Sequence, residues 1–351
     1  MMARPKKSVK TKDETIDVEG TEHIGEAKSV AEPELDLSIS QLAGVGKVTE
    51  GKLIDFGVTS LFDICVRGSK ELSSITGVAK EKTNVWVRLA QNILIEHGLI
   101  RDPDKTVLEL LDHQEKLYTV GTKSAVDTLL RGGVRPESLY EGYGEFGSGK
   151  TQFCLSLTAE VIGNNEKVVW VDCEDTFRPR RLVEMLIARG YGEDSEEAKK
   201  YLEHITYFYT PNTEQLMAKV NGLSAKLLKD KPRLVVLDGA IGQFREEYLG
   251  RGTLAERQNQ IAHLMTHLKN ISYYFNCTVL FTNQVQSDPS IMFGDPVKPI
   301  GGHIVGHAPT YRMYFKKSGR KHIARMVDSP EDPVADIPFE LTQGGISDVE
   351  E

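Results

Sequence analysis

Cysteines, aromatic residues and long apolar runs are scarce in this chain, and each scarcity excludes a class of protein. Its 351 residues include four widely spaced cysteines, Cys65, Cys154, Cys173 and Cys277, with no C-x-x-C pair and no ligand-spaced histidines beside them. This pattern excludes a disulfide framework and a cysteine zinc site, and it indicates a reduced intracellular protein. No apolar run approaches the roughly 18 residues of a membrane span, and the first residues lack the apolar core of a signal peptide. We therefore expect a soluble, cytoplasmic protein with no membrane partner.

An overall excess of basic charge is also missing. The formal net charge of −8 argues against a uniformly basic nucleic-acid binder, although a local basic loop would hardly change that sum. The first 12 residues hold five basic residues and no acid, and residues 13–36 are mainly acidic or small and polar. Such a composition cannot bury enough apolar surface to fold, so residues 1–36 are predicted to be a disordered tail. The rest of the chain is long enough for one large core and a smaller domain.

Residues 37–100 have the pattern of short amphipathic helices separated by glycines. Two turns look alike, "LAGVGKVTEGKLIDFG" at 42–57 and "ITGVAKEKTNVWVRLA" at 75–90, but two copies are too few for a stacked solenoid. The first resembles a helix-hairpin-helix motif, in which Gly44 and Gly46 let backbone amides approach a DNA phosphate. The simpler interpretation is that these glycines only separate two helices. We predict a small helical DNA-binding domain, followed by a linker and polymerisation segment at 101–137 that carries one helix from Val107 to Glu115.

Residues 138–351 alternate between strand-like and helical patterns. Strand-like runs include "SLYEGYG", "KVVWVDCE", "ITYFYT", "RLVVLDGA" and "CTVLFTNQ", and helical stretches separate them. This alternation is typical of an α/β core with a mostly parallel, twisted sheet. Beyond residue 308 the helical patterns stop, and three runs predict consecutive antiparallel strands at one edge of that sheet.

The stretch "GEFGSGKT" fits the phosphate-loop pattern GxxxxGK(S/T) and lies between a predicted strand and a predicted helix. Its glycines let backbone amides curl around phosphate oxygens, the Lys150 ammonium neutralises their charge during reaction as well as binding, and the Thr151 hydroxyl can hold Mg²⁺. The predicted nucleotide contacts in this stretch are Gly144, Glu145, Phe146, Gly147, Ser148, Gly149, Lys150, Thr151 and Gln152.

Carboxylates and an amide at neighbouring strand ends complete a hydrolytic site. Asp238 ends "RLVVLD" and can support Mg²⁺, although hydrophobic strands also end in Asp for turn chemistry alone. Glu174 follows the strand next to the phosphate loop and is the candidate general base, with Asp172 and Asp175 as less well placed competitors. Gln284 can sense or position the γ-phosphate. Together these residues favour hydrolysis of a nucleoside triphosphate.

Several long motifs in order make the sequence similar to one family. They are "GEFGSGKTQ", "TFRPRR", "FREEYLGRGTLAERQ", "TNQVQ", "FGDPVKPIGGHIVGHA" and "ARMVDSP". On these motifs the chain resembles archaeal RadA recombinases of the RecA superfamily over residues 37–346. The resemblance implies a RecA-type ATPase core at 138–351 behind a helix-hairpin-helix domain, ATP and Mg²⁺ as cofactors, and a nucleoid-associated location. It also implies single- and double-stranded DNA and further copies of the chain, in a helical filament or ring, as partners. Whether a monovalent cation joins Mg²⁺ stays open.

The resemblance also implies roles for single residues. Glu174 would be the catalytic glutamate, and Gln284 the γ-phosphate sensor that opens a DNA-binding loop. Arg181 would stack on adenine, and His307 would lie on the sensor route between nucleotide and DNA. Asp328 would cap the nucleotide of a neighbouring subunit, so that each site is complete only between two copies.

Two loops have the composition expected of DNA contacts. Residues 246–258 offer Arg251 between two glycines and Arg257 at a helix start, so their guanidiniums can reach phosphates. The stretch 285–307 is too long and irregular for a scaffold connection; it contains Lys298, and Gly301 and Gly302 can bring amides to a phosphate. Three of its apolar side chains either wedge between bases or pack as a plug on the core: Ile291, Met292 and Phe293.

The chain departs from the family pattern at three places. The Phe-x-x-Ala element that plugs one protomer into the next has Asp104 and Val107 in the matching positions. Gly239 replaces the usual Ser after Asp238, and Arg180 stands where an acid is common. The first departure puts subunit polymerisation in doubt, whereas the other two remove no catalytic group.

Three functions remain open at this point. The first is an ATP-dependent homologous recombinase that forms filaments on single-stranded DNA and exchanges strands during DNA repair. The second is a recombinase paralogue or mediator that regulates filament assembly, which the missing plug suggests. The third is another RecA-core motor, such as a ring helicase, against which "GRGTLAERQ" and "IGGH" argue.

Overall fold

The computed structural model describes residues 35–250, 252–287 and 297–350. Apart from residues 35 and 36, the predicted tail lies outside the described residues. The described residues from Leu37 onward form one compact unit. Within the described residues, no helix is both long and apolar enough to cross a bilayer.

Three helices pack together near the start of this unit. They follow a 3-10 turn at Ile39–Gln41 and are α1 (Lys47–Asp55), α2 (Leu61–Thr76) and α3 (Lys80–Glu96). A capping box between Ser60 and Asp63 starts α2, and Gly68, with φ of 70°, bends it. Leu61, Leu72 and Trp86 are buried between the helices, so this region has its own small apolar core.

The linker carries α4 (Val107–Glu115), with the bounds that the sequence predicted. A second capping box, between Thr106 and Glu109, fixes its start. None of its residues is buried. Downstream, a 3-10 turn at Ala125–Leu130 buries Val126 in the core of the following domain. The linker therefore touches the core at one end and presents α4 to solvent at the other.

The remaining chain alternates strands and helices. The strands are β1 (Leu139–Gly144), β2 (Val168–Asp172), β3 (Ile205–Tyr209), β4 (Leu234–Asp238), β5 (Thr278–Asn283), β6 (Val285–Ser287), β7 (Val297–Pro299), β8 (Tyr311–Ser318), β9 (Lys321–Asp328), β10 (Ala335–Thr342) and β11 (Gly345–Ser347). The helices are α5 (Lys150–Gly163), α6 (Pro179–Ala188), α7 (Ser195–Lys200), α8 (Thr213–Asn221), α9 (Ser224–Asp230), α10 (Gly242–Glu247), α11 (Leu254–Tyr274) and α12 (Gly302–His307). A further 3-10 turn lies at Tyr201–His204.

Nine strands form one sheet in the order β11-β10-β9-β8-β1-β5-β4-β2-β3. The pairs from β8 across to β3 are parallel, and the pairs from β8 to β11 are antiparallel. β6 and β7 form a separate antiparallel pair. The prediction of an α/β core with a mostly parallel sheet, antiparallel C-terminal strands and preceding helices is confirmed.

Successive residues of the central strands face two different apolar layers. Trp170 and Val236 point into the layer with α5 and α6, whereas Val171 and Leu237 point into the layer with α8 and α11. Burial on both faces explains why these strands are continuous apolar runs in the sequence. Because β1, β2, β4 and β5 are parallel, their carboxyl ends lie along one edge of the sheet, where binding sites in such sheets form.

The first helices lie against one of these layers. The Arg67 guanidinium donates to the carbonyl of Asn221 at 3.2 Å, and the Asn270 amide donates to the carbonyl of Val66 at 2.8 Å. Phe62 stacks on Phe275 with ring centroids 4.9 Å apart. α2 is thus joined to α8 and α11 by both polar and apolar contacts.

Candidate nucleotide site

The loop between β1 and α5 has the shape of a phosphate cradle. Gly144 has φ of 157°, and a Cβ there would lie 2.0 Å from the carbonyl oxygen of Phe315. Gly149 has φ of 103°, and a Cβ there would lie 2.9 Å from the Phe339 ring. Only glycine fits these two positions. The Ser148 hydroxyl is buried without a hydrogen-bond partner among the described residues, which is a site that a phosphate oxygen would satisfy.

Lys150 is the first residue of α5, and its side chain turns back onto the phosphate loop. The Lys150 ammonium donates to the carbonyls of Gly144 and Glu145, each at 2.9 Å. Burial lowers the pKa of Lys150, and the nearby carboxylates of Glu174 and Asp238 oppose that shift. A partly buried ammonium beside a helix amino terminus and a glycine loop is suited to bind phosphate anions.

Asp238 is the hub of a buried hydroxyl cluster at the end of β4. Its carboxylate accepts from Thr151 Oγ1 at 2.9 Å, from Thr282 Oγ1 at 2.6 Å and from Thr176 Oγ1 at 3.2 Å. Burial raises the pKa of Asp238, although the hydrogen bonds from Thr282 and Thr151 lower it. A carboxylate and a hydroxyl in contact are the hard oxygen donors that Mg²⁺ prefers, so these residues fit that ion.

The turn after β2 is organised by Asp172 and presents Glu174. The Asp172 carboxylate accepts from the backbone amides of Glu174, Thr176 and Phe177 at 3.0, 3.2 and 2.9 Å, and from the Tyr207 hydroxyl at 3.2 Å. Asp172 is fully buried. Its lone pairs are thus occupied by the turn itself, and it does not face the cleft.

Asp175, the other competitor for the role of general base, points to solvent. Its backbone has φ of 52°, and its side chain lies 3.9 Å from the Arg178 guanidinium with 70% of its surface exposed. Glu174, in contrast, lines a cleft of about 350 Å³ together with Gly144, Glu145, Phe146, Lys150, Gln284, Val285, Gln286 and Val297. The geometry favours Glu174 over both aspartates.

Gln284 contacts Glu174 directly. Its Nε2 donates to Glu174 Oε1 at 2.8 Å, across the gap between the ends of β5 and β2. Gly239 makes this approach possible, because a Cβ there would lie 2.4 Å from Glu174 Cγ. The departure from the usual serine at this position therefore leaves room for the glutamate against the backbone.

Arg181 lies at the other end of the loop, on α6. Its guanidinium donates to Gln152 Oε1 at 3.1 Å and to the carbonyls of Gln343 and Thr342 at 2.8 and 2.6 Å. Burial lowers its pKa. Phe146, at the tip of the loop, is fully exposed. Arg181 and Gln152 thus lie in contact beside the first turn of α5, directly after the phosphate loop.

Asp328 lies far from the phosphate loop of its own chain. β9 begins beside the loop, where His322 Nε2 lies 3.3 Å from the Gly147 carbonyl, and runs antiparallel to β8. Eight residues of strand carry the chain about 23 Å to the opposite edge of the sheet. Asp328 is exposed there, so it cannot contact a nucleotide held by its own loop.

A buried polar network connects the strands to the second predicted DNA loop. Glu141 accepts from Asn283 Nδ2 at 2.8 Å and from Arg312 Nε at 2.7 Å. Asn283 also donates to the carbonyl of Ile300 at 2.8 Å, and the Ile300 amide donates to the carbonyl of Gln284 at 3.0 Å. Burial raises the pKa of Glu141, and the Arg312 charge opposes this. The end of the loop is therefore fixed to the strand that ends in the predicted sensor.

The described DNA-loop residues lie near this network. Gly301 has φ of 101°, and a Cβ there would lie 2.2 Å from Val305 Cγ2, so glycine is required at the start of α12. Gly302 also has positive φ, and the exposed Lys298 lies on β7. His307 ends α12 and stacks on His303 with centroids 6.0 Å apart.

Arg257 lies in the first turn of α11, and its amide donates to the Thr253 carbonyl. Arg251, Ile291, Met292 and Phe293 lie outside the described residues. The roles of all these residues in binding DNA stay predictions.

Sequence reasoning missed the threonines that donate to Asp238, and it missed that Asp172 accepts the hydrogen bonds of the turn after β2. Thr176 and Thr282 open the motifs "TFRPRR" and "TNQVQ", but a hydroxyl near a strand end is too common to indicate contact with a carboxylate. The signal for Asp172 was its place as the last residue of a buried strand, which is typical of a turn-forming side chain.

Comparisons with known proteins show the family of the chain. A family model described as Rad51 matches residues 113–349. A protein named DNA repair and recombination protein RadA, from Cenarchaeum symbiosum, is 38% identical in an alignment of 325 residues that covers 90% of this chain and 80% of that protein. A protein of the same name from Aeropyrum pernix is 36% identical over 330 residues, 89% of this chain and 97% of its own length. Both matches are too long to fit after residue 113, so the similarity includes part of the preceding region.

Proposed function

Because the chain belongs to the Rad51 family, we propose that it is an ATP-dependent recombinase that forms filaments on single-stranded DNA and pairs it with homologous duplex DNA. Membership of this family implies ATP binding. The observation that carries the proposal is the meeting of the Gly144–Thr151 loop, Glu174 and Gln284 at one cleft, with the end of a DNA loop bonded to the backbone of Gln284.

The chain's own groups divide the work of hydrolysis. The loop amides and Lys150 bind the phosphates, and Glu174 orients a water and accepts its proton. Thr151 and Asp238 would hold Mg²⁺, which supplies positive charge to the phosphate oxygens when bound. Arg181 borders the base. Each group acts from the end of a rigid strand or helix, which is how positions are kept within the tolerance that catalysis needs.

Gln284 is suited to couple the nucleotide to DNA. Its side chain bonds to Glu174, and its backbone carbonyl accepts from Ile300 at the base of the second loop. A γ-phosphate that attracts this amide would draw it from Glu174 and shift the loop at the same time. Lys298, Gly301, Gly302 and Arg257, with Arg251, would then contact DNA phosphates, and His307 would adjoin this route.

Self-assembly completes the site. Asp328 lies at the opposite edge of the sheet from its own loop, so it would serve the nucleotide of the next copy in a head-to-tail interface. Such an interface repeats into a helical filament or closes into a ring. Nucleotide bound between two copies adds contacts only to the assembled state and so favours it. Residues 37–100 would add contacts to DNA, in keeping with a cytoplasmic, nucleoid-associated protein.

Joint-molecule formation tests the proposal. Purified protein, single-stranded circles and homologous linear duplex are mixed with ATP and Mg²⁺, and joint molecules are resolved on gels, with heterologous duplex as the control. We expect joint molecules only with homology, and an ATPase rate that DNA increases. A lack of joint molecules at every salt concentration, with intact ATP binding, would refute strand exchange and favour the mediator function.

Replacement of Arg251 separates DNA binding from nucleotide binding. In Arg251→Ala, the slope of log DNA affinity against log salt concentration should become shallower by about one. Nucleotide affinity should stay unchanged. Fluorescence anisotropy with labelled single strands over a salt series measures both. An unchanged slope would remove this arginine from the DNA interface.

A further inference from the structure

A cluster of metal-ligating side chains lies outside the nucleotide site, where α2 meets α11. Nε2 of His263 and Nε2 of His267 each lie 2.8 Å from Oε2 of Glu71. All three candidate ligand atoms lie within 4.8 Å of one another. The side chain of His267 is 1% exposed, that of Glu71 17% and that of His263 34%. The cluster is thus enclosed on the His267 side and open to solvent beside His263.

The spacing matches a known way to hold zinc. Histidines four residues apart project from one face of a helix, and two such histidines with a carboxylate form a common three-ligand zinc set. Ligand atoms about 2.0–2.1 Å from a tetrahedral Zn²⁺ lie roughly 3.3 Å from each other. Both Nε2–Oε2 distances would therefore have to open by roughly 0.5 Å, which a small rotation of the partly exposed Glu71 and His263 side chains would provide.

Neighbouring groups leave the ligand atoms available. Arg67 donates to Glu71 Oε1 at 2.5 Å and so holds the oxygen that faces away from the histidines, as outer partners of ligating carboxylates do. Nδ1 of His267 is buried without a partner in the described part of the chain. Because a carboxylate only accepts, Nε2 of His267 donates to Glu71 in the metal-free protein, and an ion bound at Nε2 would shift that proton to Nδ1.

We propose that Glu71, His263 and His267 bind one transition-metal ion of the Zn²⁺ class, with water in the fourth position. Imidazole nitrogens favour this class over Mg²⁺, which prefers oxygen ligands, so the ion would not compete with the nucleotide's metal. Glu71 belongs to the first group of helices and both histidines to the core. The ion would therefore fasten α2 to α11 and limit movement of the helical region.

Titration of metal-free protein tests this site. Full-length protein without an affinity tag is treated with a chelator, dialysed, and titrated with ZnCl2 by calorimetry in the absence of nucleotide and DNA. We expect one ion per chain, and His263→Ala should weaken the affinity at least about 100-fold. His97→Ala removes an exposed histidine at the end of α3 and should bind as the unchanged protein does.

Two further measurements distinguish loss of the metal site from misfolding of a variant. Co²⁺ added to the unchanged protein should give the strong visible absorption of tetrahedral coordination. Zn²⁺ at about 100 times its Kd should raise Tm by roughly 5 °C, and this rise should vanish in Glu71→Gln, which keeps the size of the side chain.

Three results would overturn the proposal. They are unchanged Zn²⁺ affinity in His263→Ala, an octahedral Co²⁺ spectrum, and binding that persists in His263→Ala but disappears in His303→Ala. The last would assign the ion to the His303–His307 pair. Since the titration involves neither ATP nor DNA, its outcome is independent of the proposed recombinase activity.

Discussion

Glu174 and Asp172 are two carboxylates two residues apart with separate tasks. Asp172 is buried and accepts hydrogen bonds from three backbone amides and a tyrosine, whereas Glu174 faces the cleft and contacts Gln284. The first shapes the turn, and the second is available for chemistry. Substitutions at the two positions should therefore differ in what they change.

Glu174→Gln should abolish most hydrolysis but not binding. The amide cannot accept a proton from water, so kcat for DNA-stimulated ATP hydrolysis should fall at least about 100-fold. Affinity for a fluorescent ATP analogue should stay within about threefold of the unchanged protein, because the loop and Lys150 are intact. Asp175→Asn changes an exposed side chain next to Glu174 in the same turn, so it serves as the control and should keep near-normal kcat. Equal losses in both variants would contradict the assignment.

Asp172→Asn should destabilise the fold as well as slow hydrolysis. An amide NH2 would face backbone N–H groups in a fully buried site, which costs about 3 kcal/mol of unfolding free energy. Differential scanning calorimetry should show Tm lower by roughly 5–10 °C. An unchanged Tm together with lost activity would instead make Asp172 a catalytic group.

Among the elements, α4 is a short helix with an apolar face that no described residue of its own chain covers. Val107 is 84% exposed, Leu108 67% and Leu111 49%. Three exposed aliphatic side chains on a nine-residue helix form an apolar patch of the kind that marks protein–protein contacts. We propose that this face provides the contact to a neighbouring copy in place of the plug.

Charges on this face should prevent assembly without affecting the fold. The double variant Leu108→Glu, Leu111→Glu should elute as a monomer in light-scattering chromatography under conditions where the unchanged protein assembles, because burying two carboxylates is costly. Tm should change little, since both positions are exposed in the single chain. Val85→Glu, at a partly exposed position on α3, is the matched control. Normal assembly of the double variant would exclude α4 from the interface.

At the scale of the whole molecule, the nine-stranded sheet separates the phosphate loop from Asp328 by the length of β9. A site shared between copies follows if both groups are needed. Lys150→Ala and Asp328→Ala should each lose hydrolysis, but an equal mixture should recover about a quarter of normal activity, since random head-to-tail contacts pair an intact loop with an intact Asp328 at that frequency. A mixture of Lys150→Ala and Glu174→Gln should recover none, because those residues lie in one cleft. Equal recovery in both mixtures would contradict the shared site.

Local pattern and periodicity were sufficient for much of this architecture. The buried runs of β1, β2, β4 and β5, the capped helix Val107–Glu115 and the glycine loop before α5 can each be read from a few neighbouring residues, because they depend on short-range geometry. The gathering of Lys150, Glu174, Asp238 and Gln284 also followed from the sequence, since the carboxyl ends of adjacent parallel strands share one edge.

Contacts between residues far apart in sequence required the tertiary structure. Glu71 precedes His263 by 192 residues, and Gly239 accommodates Glu174 only because β2 and β4 are neighbours. The sequence by itself determined the fold class, the phosphate loop and the family. The tertiary structure decided which of three carboxylates faces the cleft, that Asp328 lies apart from its own loop, and that two histidines of α11 meet a glutamate of α2. Hydrogen bonds and packing act over a few ångströms in space, so distance along the chain carries little information about them.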